Sequence, residues 1–109
     1  MIVVIFEVTP HAQHRQTYFD LAAQLRPLLS DIDGFISIER YASISDPDKI
    51  LSLSLWRDEE AVRRWKQVEA HQHAQQRGRT LLFANYQIKV AQVIRAYEME
   101  EQQGKPEST

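Results

Sequence analysis

Residues 35–65 read FISIERYASISDPDKILSLSLWRDEEAVRRW, and the topology of the whole chain can be built outward from them. Residues 35–42 (FISIERYA) are rich in β-branched and aromatic types, which favours a strand. Its alternation puts Ile36 and Ile38 on one face and Phe35, Ser37, Glu39 and Tyr41 on the other. Ser45-Asp46-Pro47-Asp48 is a hairpin connection. Residues 49–56 (KILSLSLW) alternate cleanly, with Leu51, Leu53 and Leu55 on one face and Ser52, Ser54 and Trp56 on the other. Asp58 then suits a helix N-cap, and Glu59 and Glu60 suit the positive end of the helix dipole. The quoted stretch is therefore strand, hairpin, strand, helix start.

Upstream, residues 2–8 (IVVIFEV) predict a strand that Thr9-Pro10 breaks. Both of its faces are apolar, so both sides are expected to be covered. Residues 11–29 carry helical spacing, with Tyr18, Leu21, Ala22, Leu25 and Leu29 at i, i+3, i+4, i+7 and i+11. Pro27 removes one helical hydrogen bond and predicts a kink or a tightened last turn. Asp31 to Gly34 is a turn.

Downstream, the second helix runs to about Arg77, with Gly78 at its C-terminal cap. Its apolar stripe is Ala61, Val62, Trp65 and Val68, fading into Gln72 and Gln75. That polar half faces solvent or lines a pocket. Residues 79–85 (RTLLFAN) form a packed turn, and residues 86–97 a last strand with Tyr86, Ile88 and Val90 on one face. Residues 98–109 hold one apolar residue, Met99, and read as a disordered tail.

The order β-α-β-β-α-β is the ferredoxin-like arrangement of an α+β protein, here a four-stranded antiparallel sheet in one domain over residues 1–97. Two helices cover one face of such a sheet. The other face carries Phe35, Tyr41 and Trp56, or the residues opposite them. A second copy of the chain is the simplest cover, giving a symmetric homodimer whose two sheets pack together.

Composition bounds the function. The chain has 109 residues, which leaves no room for a second catalytic domain. A chain of this length buries only on the order of 60–68% of its surface, so a pocket competes with the core for residues. The net charge of −2 gives no attraction to nucleic acid or to an anionic membrane. With no cysteine, thiolate metal sites, Fe–S clusters and cysteine nucleophiles are excluded. The run Ile2–Phe6 is too short for a signal segment or a membrane span, and a cytoplasmic protein is expected.

Other constellations carry little chemistry. His71 and His73 project about 200° apart on a helix and cannot chelate one metal. His11 and His14 share a face without a third ligand, so no metal site is predicted. Ser52 and Ser54 lie in no nucleophile elbow. Arg63, Arg64 and Lys66 are balanced by Glu59, Glu60 and Glu69 and read as pairing on an exposed face.

The segments IDGFISIERY (32–41), KILSLSLWRDEEAVRRW (49–65) and AHQHAQQRGR (70–79) resemble the antibiotic biosynthesis monooxygenase domain. The resemblance covers residues 1 to about 97. It implies a dimeric α+β barrel with a pocket between the helices and the sheet of each subunit. It implies a monooxygenase acting with O2 on a small phenolic or quinol compound without a bound metal or other cofactor. A non-catalytic ligand-binding or stress-associated dimer on the same scaffold is the alternative.

Trp65 matches the recurring pocket tryptophan of that family, set against plain core packing. On this reading His71 is the proton acceptor, an imidazole being suited to neutral pH, unless it is a surface helix histidine. Arg79 or Asn85 would stabilise an oxyanion, Tyr86 would bind a phenolic oxygen, and Phe6 completes the substrate-binding set. The haem-degrading branch of the family uses an Asn on the first strand and an axial His nearly three turns after the tryptophan. Here Phe6 and Glu7 stand at the Asn position and Ala74 or Gln75 at the His position, with His71 and His73 offset. Haem is therefore the least favoured reading.

Overall fold

The computed structural model describes residues 1–75 and 83–99, and only the backbone of residues 70–75. Four strands and two helices follow the expected order: β1 (Ile2–Pro10), α1 (Arg15–Ser30), β2 (Phe35–Ala42), β3 (Ile50–Trp56), α2 (Glu59–Gln75) and β4 (Phe83–Gln92). A single 3-10 turn, Ala12–His14, leads into α1. The sheet is antiparallel throughout with the spatial order β2-β3-β1-β4, so the fold is ferredoxin-like α+β.

Register sorts the side chains. Ile2, Val4, Phe6 and Val8 of β1 lie opposite Trp56, Ser54, Ser52 and Ile50 of β3. These rows form the helix-covered face, since Ile2, Val8, Ile50, Ser52, Ser54 and Trp56 are all buried. Val90, Ile88 and Tyr86 of β4 continue the same rows. The leucines of β3 therefore face away from the helices and the serines face them.

A β-bulge corrects the expected alternation of β2. Phe35 pairs with Trp56, and the next pair is Ser37 with Leu55, so Phe35 and Ile36 together oppose one residue. The extra residue shifts the parity of the strand. Ile36 is exposed, while Phe35 and Ile38 both pack on the core. Phe35 and Trp56 consequently lie under the helices, and Tyr41 lies on the uncovered face beside Leu51.

In α1, Tyr18, Ala22, Leu25 and Leu29 are buried, as the spacing predicts. The helix runs through Pro27 to Ser30, and the amides of Asp31 and Ile32 donate to the carbonyls of Leu28 and Leu29, the tightened last turn that proline predicts. Helix α2 starts where Asp58 caps it, the Ala61 amide donating to Oδ1 at 2.9 Å.

Strand β4 begins three residues earlier and ends five earlier than predicted. Phe83 packs against Phe6 and Tyr18, which recruits it into the sheet. At the other end β1 runs out: Gln92 pairs with Ile2, and the Val93 amide donates to the Met1 carbonyl. The remainder of the expected packed turn, the predicted cap at Gly78 and residues 100–109 of the predicted tail lie outside the described residues.

The turn before β2 is clamped to the start of α2. Gly34 has φ +99°, and a Cβ there would stand 2.6 Å from the Ala61 Cβ. Its carbonyl accepts from the Arg57 amide at 2.7 Å. The Arg57 guanidinium grips Asp33 with two bonds, at 3.0 and 3.3 Å.

Candidate functional site

A cavity of about 240 Å³ lies between the two helices and the sheet. Its floor is the helix-side face just described, and its walls come from α1 and α2. One end is aromatic: Phe6, Phe83 and Tyr86 have mutual centroid distances of 5.8–6.0 Å, and Tyr18 lies 5.8 Å from Phe83. At the other end Trp65 lies nearly parallel to Trp56, with centroids 6.5 Å apart and planes 28° apart. Such surfaces accept flat apolar molecules.

Among the described lining residues the polar groups are few. Ser52 and Ser54 are buried in the floor, and Ser54 Oγ accepts from the Trp56 indole N–H at 2.9 Å. Arg40 lies beside Ser52 in cross-strand register. Its Nε is buried and has no hydrogen-bond partner among the described residues. Lys66 and Glu69 of α2 also line the cavity. Lys66 is exposed, as the sequence pattern expects, while Glu69 is partly buried; the turn of α2 that carries Trp65 brings both to the cavity.

The expected site residues divide. Trp65, Phe6 and Tyr86 all line the cavity. For Trp65 the two expectations coexist, since its ring also packs against the buried core. Tyr86 is 57% exposed, because β4 is an edge strand. Asn85 pairs with Thr9 and borders a separate polar hollow with Glu7, Lys49 and Gln87. Tyr86 borders this hollow too, but Asn85 does not line the main cavity. The backbone of His71 belongs to α2, but its side chain, and all of Arg79, lie outside the described residues.

Arg40, Ser52, Ser54 and Glu69 were missed as a set. One signal was present: in SLSLW the serines share the face of a tryptophan, and a strand next to a helix buries its tryptophan side. The bulge that turns Arg40 inward leaves no such mark.

The clearest electrostatic shifts lie at the clamp. The hydrogen bonds and charge of Arg57 hold the Asp33 carboxyl below its ordinary value. The Ala61 amide, followed by Arg57, does the same for Asp58. On the uncovered face, the Glu39 carboxylate accepting from Tyr41 pushes that phenol up. Among the described residues no group of three His, Cys, Asp or Glu is placed to hold a metal ion, and no helix is long and apolar enough to cross a membrane.

Comparison with known proteins gives this geometry a family. Residues 1–77 match the family model "Antibiotic biosynthesis monooxygenase". A relative from Pyricularia oryzae, named jasmonate monooxygenase ABM, is 46% identical over 93 residues. That match covers 85% of this chain and 43% of the relative, so the chain spans less than half of that protein's length. Among solved structures, SnoaB, a cofactor-independent oxygenase from Streptomyces nogalater, superposes with a TM-score of 0.72 at 14% identity, covering 87% of this chain and 94% of that one. MhuD, a haem degrader from Mycobacterium tuberculosis solved with two haems in its active site, gives 0.71 at 14% identity, covering 90% and 100%. At those identities the structures share the fold alone, whereas the family model spans most of the chain. The chain belongs to the antibiotic biosynthesis monooxygenase family.

Proposed function

We propose that the protein is a small cytoplasmic monooxygenase that oxidises a phenolic or quinol compound with O2, without a bound metal or organic cofactor. The observation that carries this reading is the cavity itself, apolar and aromatic on most of its surface, with Trp65 and Trp56 at one end and a short polar track of Arg40, Ser52 and Ser54 in its floor. A phenol that loses its proton there passes an electron to O2, and recombination forms a C–O bond at an activated CH2 carbon. Loss of water then leaves a carbonyl. The balance is CH2 + O2 → C=O + H2O, so the substrate supplies all four electrons. The protein's part is to exclude water, to hold the ring against Trp65 and to accept the proton. His71 and Glu69 are the acceptors offered by α2.

Haem fits the described lining poorly. A cavity of about 240 Å³ falls below the roughly 300–1,000 Å³ of drug-sized sites, and no imidazole is among the described lining residues.

The name of the Pyricularia relative favours a second reading, in which the substrate is a cyclopentanone acid of the jasmonate type. Hydroxylating an unactivated C–H bond needs a two-electron donor from solution, because the second oxygen atom must be reduced to water. Oxygen uptake separates the two. A panel of hydroquinones and anthrones consumed without added reductant supports the first reading; consumption of jasmonate only with a reductant supports the second. Trp65→Phe and His71→Ala are expected to slow the reaction, and rates equal to the parent chain remove both residues from the mechanism.

The same proposal includes a homodimer. Val3, Ile5, Leu51, Leu53 and Leu55 form an apolar stripe on the face that the helices leave open. The row through Leu53 and Ile5 ends in Glu39 at one edge and Lys89 at the other. A two-fold axis that lies in the interface and runs parallel to the strands exchanges the two edges and sets opposite charges near each other. Light scattering is expected to give twice the 12.8 kDa chain mass, and a monomer mass at micromolar concentration overturns the dimer.

A further inference from the structure

We infer that Arg40 is the specificity-determining residue of the cavity, receiving an anionic oxygen, carboxylate or phenolate, carried on an otherwise apolar ligand. This rests on the reading of the cavity as a small-molecule site and goes on to say what the molecule must carry.

Three observations converge on it. First, the β-bulge at Phe35–Ser37 fixes which way Arg40 points. Unbroken alternation from the inward Phe35 would send residue 40 outward; the extra residue puts Ile38 and Arg40 on the helix side and Glu39 on the other. Second, Arg40 lines a mostly apolar cavity. The described ion pairs of the chain use Arg57, Arg63, Arg64 and Lys49, and the Nε of Arg40 is buried with no acceptor among the described residues. A buried guanidinium N–H without an acceptor is costly, and an anionic oxygen held by the terminal nitrogens of the same guanidinium offsets the cost of keeping its charge there. Third, the neighbourhood extends the recognition. Ser52 is the cross-strand neighbour of Arg40, is 6% exposed and also lines the cavity. A hydroxyl beside a planar guanidinium offers an anionic oxygen a second donor. The aromatic groups at the two ends leave the rest of the ligand an apolar environment.

The two sources of such an oxygen are a carboxylic acid and an ionised phenol, and both bring one negative charge to Arg40. Carboxylate orientation places the charged end on the sheet floor and the apolar skeleton toward Trp65. Phenolate orientation places the reacting ring itself over the floor, where the cation holds the ionised form that reacts with O2.

The test reads binding through quenching of the two tryptophans, Trp56 and Trp65, the full complement of the chain. Probes are jasmonate with its methyl ester, and 1,8-dihydroxyanthrone with its dimethyl ether. Each is titrated against the parent chain, Arg40→Gln and Arg40→Lys, with circular dichroism confirming that both variants fold. In the parent chain the acid or the phenol is expected to bind about 10- to 100-fold tighter than its neutral derivative, the worth of a hydrogen bond to a charged group. Arg40→Gln is expected to abolish that ratio while leaving the neutral derivative's affinity unchanged. Arg40→Lys retains part of the ratio, since charge survives without the planar fork. Which pair shows the ratio identifies the source of the oxygen. A ratio that persists in Arg40→Gln, or a parent chain that shows no ratio or binds none of the four probes, overturns the inference. Oxygen uptake is followed in parallel. An anion preference that depends on Arg40 without any oxygen consumption leaves the inference standing and removes the monooxygenase reading; oxygen consumption with an unchanged preference does the reverse.

Discussion

Trp56 and Trp65 lie nearly parallel with ring centroids 6.5 Å apart, yet Trp56 is 1% exposed while Trp65 is only half-buried. The two rings therefore share a contact and differ in work. Removing Trp56 opens a hole in the core, and Trp56→Ala is expected to cost about 3–5 kcal/mol. Trp65→Ala is expected to cost clearly less in stability and more in ligand affinity. Urea denaturation and fluorescence titration of the two variants check this, and equal losses of stability contradict it.

The indole N–H of Trp56 has Ser54 Oγ as its acceptor in the buried floor. Ser54→Ala removes that acceptor and leaves a donor unpaired. A destabilisation of about 1–3 kcal/mol is expected, with little change in backbone structure. Chemical denaturation measures it, and a neutral substitution shows that the serine does not serve the tryptophan.

Gly34 combines a positive φ with a Cβ position 2.6 Å from Ala61. Gly34→Ala is therefore expected to lose about 1–3 kcal/mol from backbone strain, with the clash adding to it. Ala61→Gly in the same chain removes the steric part and not the strain. A double-mutant cycle is expected to show recovery that is partial, and strict additivity contradicts the contact.

Arg57 holds the carboxyl of Asp33 below its ordinary value of 3.8, and Asp58 is lowered mainly by the Ala61 amide. A carboxyl depressed in the folded chain stabilises that chain at every pH above its unfolded value, and the contribution is lost as pH falls through the folded value. The stability difference between the parent chain and Asp33→Asn is thus expected to be level at neutral pH, to shrink as pH drops below 3.8, and to narrow with added salt because the pair is exposed. Denaturation curves across pH 2–7 (about five points suffice) test the trend, and a difference that is flat to the acid limit refutes it.

Much of the architecture was written in local pattern. The capping role of Asp58, the buried face of α1 and the order of the elements follow from spacing and turn chemistry, which act within a few residues. The faces of the strands were less legible. In β3 the leucines look like the inward set, yet the serines go inward because Trp56 shares their side and fills the core. In β2 the bulge is set by pairing with β3, a long-range event with no period in the sequence. Of the candidate site, Trp65, Phe6 and Tyr86 were named through the family resemblance, and all three line the cavity. Arg40 and Glu69 were missed because a charged residue in a strand or helix reads as surface until the tertiary packing is known.

The bulge has one further consequence. Ile36 is exposed and sits away from the cavity, and the bulge sets it aside so that everything after it in β2 pairs as if it followed Phe35 directly. Deleting it would leave an unbroken ladder with Arg40 still opposite Ser52 on the helix side, whereas threading Ile36 into the ladder would turn Glu39 toward the cavity and Arg40 toward the open face of the sheet. The sign of the pocket thus depends on a pairing irregularity and not on composition: losing the spacer is tolerated, while substitutions that draw Ile36 into the ladder offer evolution a route to invert ligand charge preference without altering any residue that a ligand touches.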